Sequence, residues 1–142
     1  PNADKLPSAV SAALVQNPDV NVIMVAVDSF VPPVTQALKT AGKADVKVVS
    51  TGGELPNMQN VTAGTQAGDL GTPVIYAGWQ YANALFQLLV GDEVVADPNL
   101  TNRFFDSSHI SGLTLTPEAY LSNQWYGDDS YQAAYKTAWG IS

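Results

Sequence analysis

The chain has 142 residues, 46% of them hydrophobic and 13% charged, a balance that fits one globular domain with its own core and argues against disorder. A net charge of −7 leaves only six Lys and Arg, scattered along the sequence, which argues against recognition of nucleic acid or anionic membranes. Without cysteine there is no disulfide framework, no thiolate nucleophile and no cysteine zinc site. No apolar run approaches the ~20 residues of a membrane span, and no signal peptide opens the chain. The opening PNADKLPSAV has no initiating methionine, so a processed or clipped product is expected.

In chain order, Ser8 to Gln16 is alanine-rich with Val10, Leu14 and Val15 on an apolar side, and Pro7 sits near its start. That predicts a short helix. Val22 to Val27 is a β-branched run of strand length that stops at Asp28-Ser29, after which Val31, Val34, Ala37 and Leu38 recur at helical spacing. Gly42 suits a left-handed cap, and Val46 to Ser50 follows as a second strand, so the three elements form a βαβ unit with a right-handed crossover. A short helix is predicted from Glu54 to Asn60 and a weaker third strand from Val61 to Ala67. Gly68 to Pro73 reads as a turn, with Thr72 as N-cap and Pro73 at the first helical position.

From there Val74, Gly78, Tyr81, Leu85, Leu88 and Leu89 recur at steps of three and four, predicting a long packed helix that ends at Gly91. Asp92 to Asn102 is loop-like, Arg103-Phe104-Phe105 fits a short edge strand, and Ser107 to Asn123 has no clear period. The tail returns to helical spacing through Tyr131, Ala134, Tyr135 and Trp139. No internal repeat appears, and the best boundary lies near Asp69.

In an open parallel sheet, ligands bind where strand carboxyl ends and helix N-termini converge. The tips here carry Asp28, Ser29 and Phe30 after the first strand and Gly52, Gly53 and Glu54 after the second, with Asp69 at the boundary. Each has an ordinary structural alternative. Asp28 stands where a helix N-cap is expected, Asp69 lies in a glycine-flanked turn, and Gly52-Gly53 fit positive φ better than ligand approach. Glu54 fits a solvated helix-start carboxylate, and Tyr76 and Trp79 fit packing better than stacking, which makes Phe30 the better stacking candidate.

Catalysis finds little support. His109 is the only histidine, far from the strand tips, and there is no GxSxG elbow, phosphate loop or HExxH. Asp28 and Asp69 form a conceivable acid–base pair of a kind that an acidic α/β domain supplies by chance. No cofactor and no metal site is expected. Asn60-Val61-Thr62 and Asn99-Leu100-Thr101 match glycosylation sequons.

The phrases NPDVNVIMVAVD, QALKTAGKADVKVVSTGG and GDLGTPVIYAGWQYANALFQLLVGD, in that order, resemble the C-terminal half of type I periplasmic binding proteins over roughly Leu6 to Glu93. These are the sugar-type solute-binding components of ABC transporters, related to LacI-like effector domains. The closing YGDDSYQAAYKTAWG resembles the tail of a subgroup. The resemblance implies an α/β, three-layer, parallel-sheet Rossmann-like lobe, present as a C-terminal fragment of a two-lobed protein with three hinge crossings. Residues 1–68 would belong to the C-terminal lobe, 69–105 to a hinge crossing and a helix and strand packed on the N-terminal lobe, and 106–142 to the return hinge and tail.

The implied partners are a small-molecule solute, an ABC permease and the missing N-terminal half, with no nucleic acid. The implied location is periplasmic or extracellular, with an anchor possible through the missing N-terminus. Ligand positions carry over incompletely. Where many relatives place Asn after the first strand this chain has Val27, followed by a matching Asp28. Where sugar binders have Asp before Gly, it reads Thr51-Gly52-Gly53, and the hinge position is matched by Asp69. A buried sugar hydroxyl without a partner costs about 1–3 kcal/mol, so a polyol, modified sugar or less polar solute stands beside an ordinary pyranose. The competing readings are a LacI-like effector domain and a stand-alone flavodoxin-like enzyme, the latter requiring five strands that the sequence does not supply.

Overall fold

The computed structural model describes residues 3–94 and 100–141. Within the expected loop 92–102, residues 95–99 lie outside this description, and with them Asn99 of the second sequon. Contacts divide the chain into two compact units, one holding residues up to Gly71 together with Phe104–Gly112, the other Thr72–Arg103 together with Leu113 onward.

The first unit is built on a sheet of order β1-β2-β3-β4, from β1 (Val22–Met24), β2 (Lys47–Gly52), β3 (Gly68–Gly71) and β4 (Arg103–Asp106). β2 pairs in parallel with β1, Ile23 opposite Val48, and in parallel with β3, Ser50 opposite Asp69. The helices are α1 (Leu6–Gln16), α2 (Val31–Thr40) and α3 (Leu55–Thr62). Val10 and Leu14 of α1 and Val31, Val34, Ala37 and Leu38 of α2 form one cluster with Val25, Val46 and Val48, which is the predicted amphipathic stripe meeting the predicted strands. The opposite face of β1 carries Val22 and Met24, 49% and 68% exposed. The expected α/β lobe with an open parallel sheet is therefore present, with a layer of helices covering one face.

Three expectations change. β1 ends at Met24 rather than Val27, although the Val25 amide still donates to the Val49 carbonyl at 2.8 Å. The third strand is not Val61–Ala67. Val61 and Thr62 finish α3, and the strand is Gly68–Gly71, the segment expected to be a turn. Its composition is poor for a strand, but an interior position with little room explains it. A Cβ on Gly68 would stand 2.6 Å from the Phe104 ring. Asp28 does not cap its own helix. It opens a 3-10 turn whose N-cap is Val27, and its carboxylate reaches elsewhere.

The second unit contains α4 (Val74–Val90), α5 (Pro117–Leu121) and α6 (Ser130–Ala138). α4 ends on Gly91 at φ +81, as its sequence predicts, and begins one residue after Pro73, which is the N-cap in place of Thr72. Its predicted packed face is not buried among the described residues: Ala77 is buried, while Tyr81, Leu85, Leu88, Leu89 and Val90 are more than half exposed. What holds this unit is aromatic. Trp79 and Trp139 stack with centroids 5.4 Å apart, the Trp139 indole N–H donates to Asn83 Oδ1 at 2.9 Å, and Tyr131 and Tyr135 complete the cluster. Trp125, 1% exposed, donates to the Thr114 carbonyl at 2.9 Å, and its own carbonyl accepts from Arg103 Nη1 at 2.9 Å.

Candidate functional site

The carboxyl ends of β1, β2 and β3 come together in the first unit, and the two aspartates predicted there meet around a third residue. Ser50 Oγ lies 2.5 Å from Asp28 Oδ1 and 3.0 Å from Asp69 Oδ2. Asp28 Oδ2 accepts the Glu54 amide at 2.7 Å, and Asp69 Oδ1 accepts the Gly53 amide at 3.1 Å. Asp28 thus caps the start of α3 across the sheet instead of the start of α2. Gln66 donates through Nε2 to Ser50 Oγ at 2.8 Å and to the Gly68 carbonyl at 3.0 Å, and Asn57 Nδ2 donates to Gln66 Oε1 at 3.0 Å.

All five polar side chains are buried, Asp28 and Asp69 to 1% and 0% exposure. One hydroxyl has one proton to donate, and Gln66 already donates to the Ser50 oxygen. If Ser50 gives its proton to Asp28 along the shorter contact, the Asp69 carboxyl must supply the proton between itself and Ser50. Electrostatics point the same way. Burial, then the hydrogen bond and negative charge of Asp28, push the Asp69 carboxyl up to about 7, against a smaller opposing pull from Ser50 and the Gly53 amide. The Asp69 carboxyl therefore holds its proton toward neutrality beside the Asp28 carboxylate.

The glycines make the clamp possible. Gly52 sits at φ +148, where a Cβ would approach Asp28 Oδ2 to 2.7 Å, and Gly53 sits at φ +78. Positive φ and close approach of the protein's own carboxylate both require them. Of the remaining candidates, Ser29 and Glu54 are exposed, Gly52 and Phe30 are half-buried, and Gly53 is buried. Phe30 leans on the valine cluster, and Glu54 is the N-cap residue of α3 with no capping bond from its side chain.

Elsewhere, His109 is on the surface, its Nδ1 2.8 Å from Asp106 Oδ1, and Ser108 followed by His109 holds the Asp106 carboxyl well below the usual range. Ser50, Gln66 and Asn57 are the members that sequence reading missed. Their signal was weak but present: a Ser closing an apolar strand, and an Asn beside Met58 at a core position of α3.

No protein-family model matches the chain, and no curated protein matches it. Solved structures do. A carbohydrate transporter from Acidothermus cellulolyticus in complex with myo-inositol superposes with a TM-score of 0.68 at 14% identity, over 84% of this chain and 43% of that one. A solute-binding protein of an ABC transporter from Agrobacterium vitis with D-fucose gives 0.66 at 20% identity, over 84% and 40%. Another from Agrobacterium vitis with bound allitol gives 0.62 at 21%, over 76% and 39%. Among the described residues no helix is long and apolar enough to cross a membrane. The chain, spanning about two-fifths of the length of these neighbours, has the fold of part of a sugar-type solute-binding protein.

Proposed function

We propose that this chain is part of the solute-binding component of an ABC transporter, holding a neutral sugar or polyol between two hinged lobes and delivering it to a permease. The carrying observation is the fold likeness to proteins solved with myo-inositol, D-fucose and allitol. The chain's three passages between its units, after Gly71, Arg103 and Gly112, support a hinged arrangement. In this reading residues 1–68 serve the C-terminal lobe, 69–105 contain a hinge crossing and a helix that packs on the N-terminal lobe, and 106–142 return across the hinge. The open stripe of α4 and the open face of β1 are surfaces for segments outside this chain. The location is periplasmic or extracellular.

Mechanistically, the buried aspartates do not touch solute. They fix the strand tips, so that the Ser29 hydroxyl, the Phe30 ring, the Glu54 carboxylate and the backbone at Gly52-Gly53 are presented in a set geometry. Prepaid rigidity of this kind lowers the cost of binding. Closure follows from a higher affinity of the ligand for the closed arrangement. The Ser50 hydroxyl and the carboxylates it meets are enclosed out of reach of solute, so binding without chemistry is the reading.

Half a site binds weakly, so the test is an amide nitrogen–proton NMR titration of the chain with myo-inositol, D-fucose and allitol at tens of millimolar. Shifts at Ser29, Phe30 and Gly52 to Glu54 are expected. Unmoved amides at all five positions with every probe would contradict the proposal.

A further inference from the structure

The second unit contains a cavity of about 350 Å³, lined by residues of that unit alone. This is within the size range of small-ligand pockets. Its walls are the rings of Tyr76, Tyr126 and Tyr131, with Tyr76 and Tyr131 tilted against each other at a centroid distance of 4.4 Å. Asn123 lies on the same lining. Its position follows from the chain: it is the left-handed residue that ends α5, at φ +63, with its amide bonded to the Tyr120 carbonyl and the Gln124 amide to that of Ala119.

That turn explains the backbone of Asn123 but not its side chain. Asn123 is 6% exposed, and its side chain lies on the cavity lining. The Tyr131 hydroxyl is buried without a partner among the described residues. A buried hydroxyl left unpaired is costly, and buried polar groups in folded proteins nearly always have partners. At the rim, Asp128 accepts from the Ser130 hydroxyl at 2.6 Å and from its amide at 3.0 Å, which holds its carboxyl below the usual value. Among the described residues no Lys, Arg or His lines the cavity. An anion is therefore disfavoured.

We propose that this cavity is a second binding site, separate from the strand tips, for a neutral polyhydroxylated ring. The apolar C–H face of such a molecule lies against the tyrosine rings, while its hydroxyls pair with the Asn123 amide and the Tyr131 hydroxyl. Aromatic walls with one amide and one hydroxyl match that chemistry: the rings take the apolar face, and the Asn123 amide and the unpaired Tyr131 hydroxyl take the edge. The site does not depend on the strand-tip reading and is scored on different resonances.

The experiment follows the Asn123 side-chain NH₂ pair and the amides of 123–131 during titration with myo-inositol and, separately, D-fucose. Movement of the NH₂ pair with a common saturation curve at Tyr126 and Tyr131 is expected for at least one probe. Asn123→Gly keeps the left-handed turn and removes the amide, so it should retain the fold by circular dichroism and weaken binding about tenfold. Three results would overturn the proposal: an unmoved NH₂ pair with both probes, unchanged affinity in Asn123→Gly, or a response to tetramethylammonium with none to either polyol. Shifts at Ser29 to Glu54 alone would support the strand-tip site and count against this one.

Discussion

The two units solve the problem of burial in different ways. The first surrounds a valine-rich cluster with a parallel sheet and two helices and seals its strand tips with a buried polar network. The second has a 17-residue helix with a single buried residue, a later helix with none, and cohesion from stacked aromatic rings around Trp79 and Trp139 and from the buried Trp125, which packs on Tyr120. Apolar periodicity alone thus does not say that a helix is covered. It says that a surface is available, and what covers it depends on the chain around it.

Substitutions can break this contrast. The largest loss is expected from Trp125→Ala in the second unit, about 3–5 kcal/mol, because a fully buried indole and its hydrogen bond disappear together. Denaturant unfolding followed by near-ultraviolet circular dichroism reads it, and a loss below about 1 kcal/mol would mean that the aromatic cluster holds the unit without it. Gly52→Ala in the first unit should cost about 3 kcal/mol, since the new methyl meets the Asp28 carboxylate and the backbone is held at positive φ. Its unfolding midpoint is the measure.

Asp69→Asn sharpens the contrast through pH. A carboxyl raised from 3.8 to about 7 binds its proton more tightly when folded. Its stabilisation is complete below pH 3.8 and is lost as pH rises through about 7, on the order of a few kcal/mol. Asp106 and Asp128 are lowered, so their contributions are lost only as pH falls below the ordinary carboxylate range, and the two windows do not overlap. Asn copies the neutral acid, so Asp69→Asn should remove the slope between pH 4 and 7 and equal or exceed the parent at pH 8. Equal slopes in the two proteins would refute this. The smallest effect belongs to Gly78→Ala, where a methyl meets open space within α4, and a gain of about 0.5–1 kcal/mol is expected in thermal unfolding.

Much of the fold was legible. The helices α1, α2 and α4, the buried stripe of α2, the second strand, the glycine stop at Gly91 and the Arg103 edge strand all rest on local pattern, which the structure repeats, whereas Val15 of α1 and the stripe of α4 are exposed. The third strand was not legible, because Gly68–Gly71 owes its conformation to pairing with β2 and to the Phe104 ring, neither of which leaves a local trace. Asp28 shows the same limit at the site. Its capping preference was visible, but the Glu54 amide it accepts from lies 26 residues later in sequence, and only the parallel register brings the two together. Asp28 and Asp69 stood out as acids. That they meet over Ser50 and Gln66, facing inward, is a fact of sheet topology.

The most direct test is a carbon-13 NMR titration of the aspartate side-chain carboxyl groups between pH 3 and 9. One carboxyl, assigned to Asp69 by its disappearance in Asp69→Asn, should keep the shift of a protonated acid through pH 5 and titrate near 7. If every aspartate titrates below pH 5, no proton is held at the strand tips, and the clamp described here is wrong.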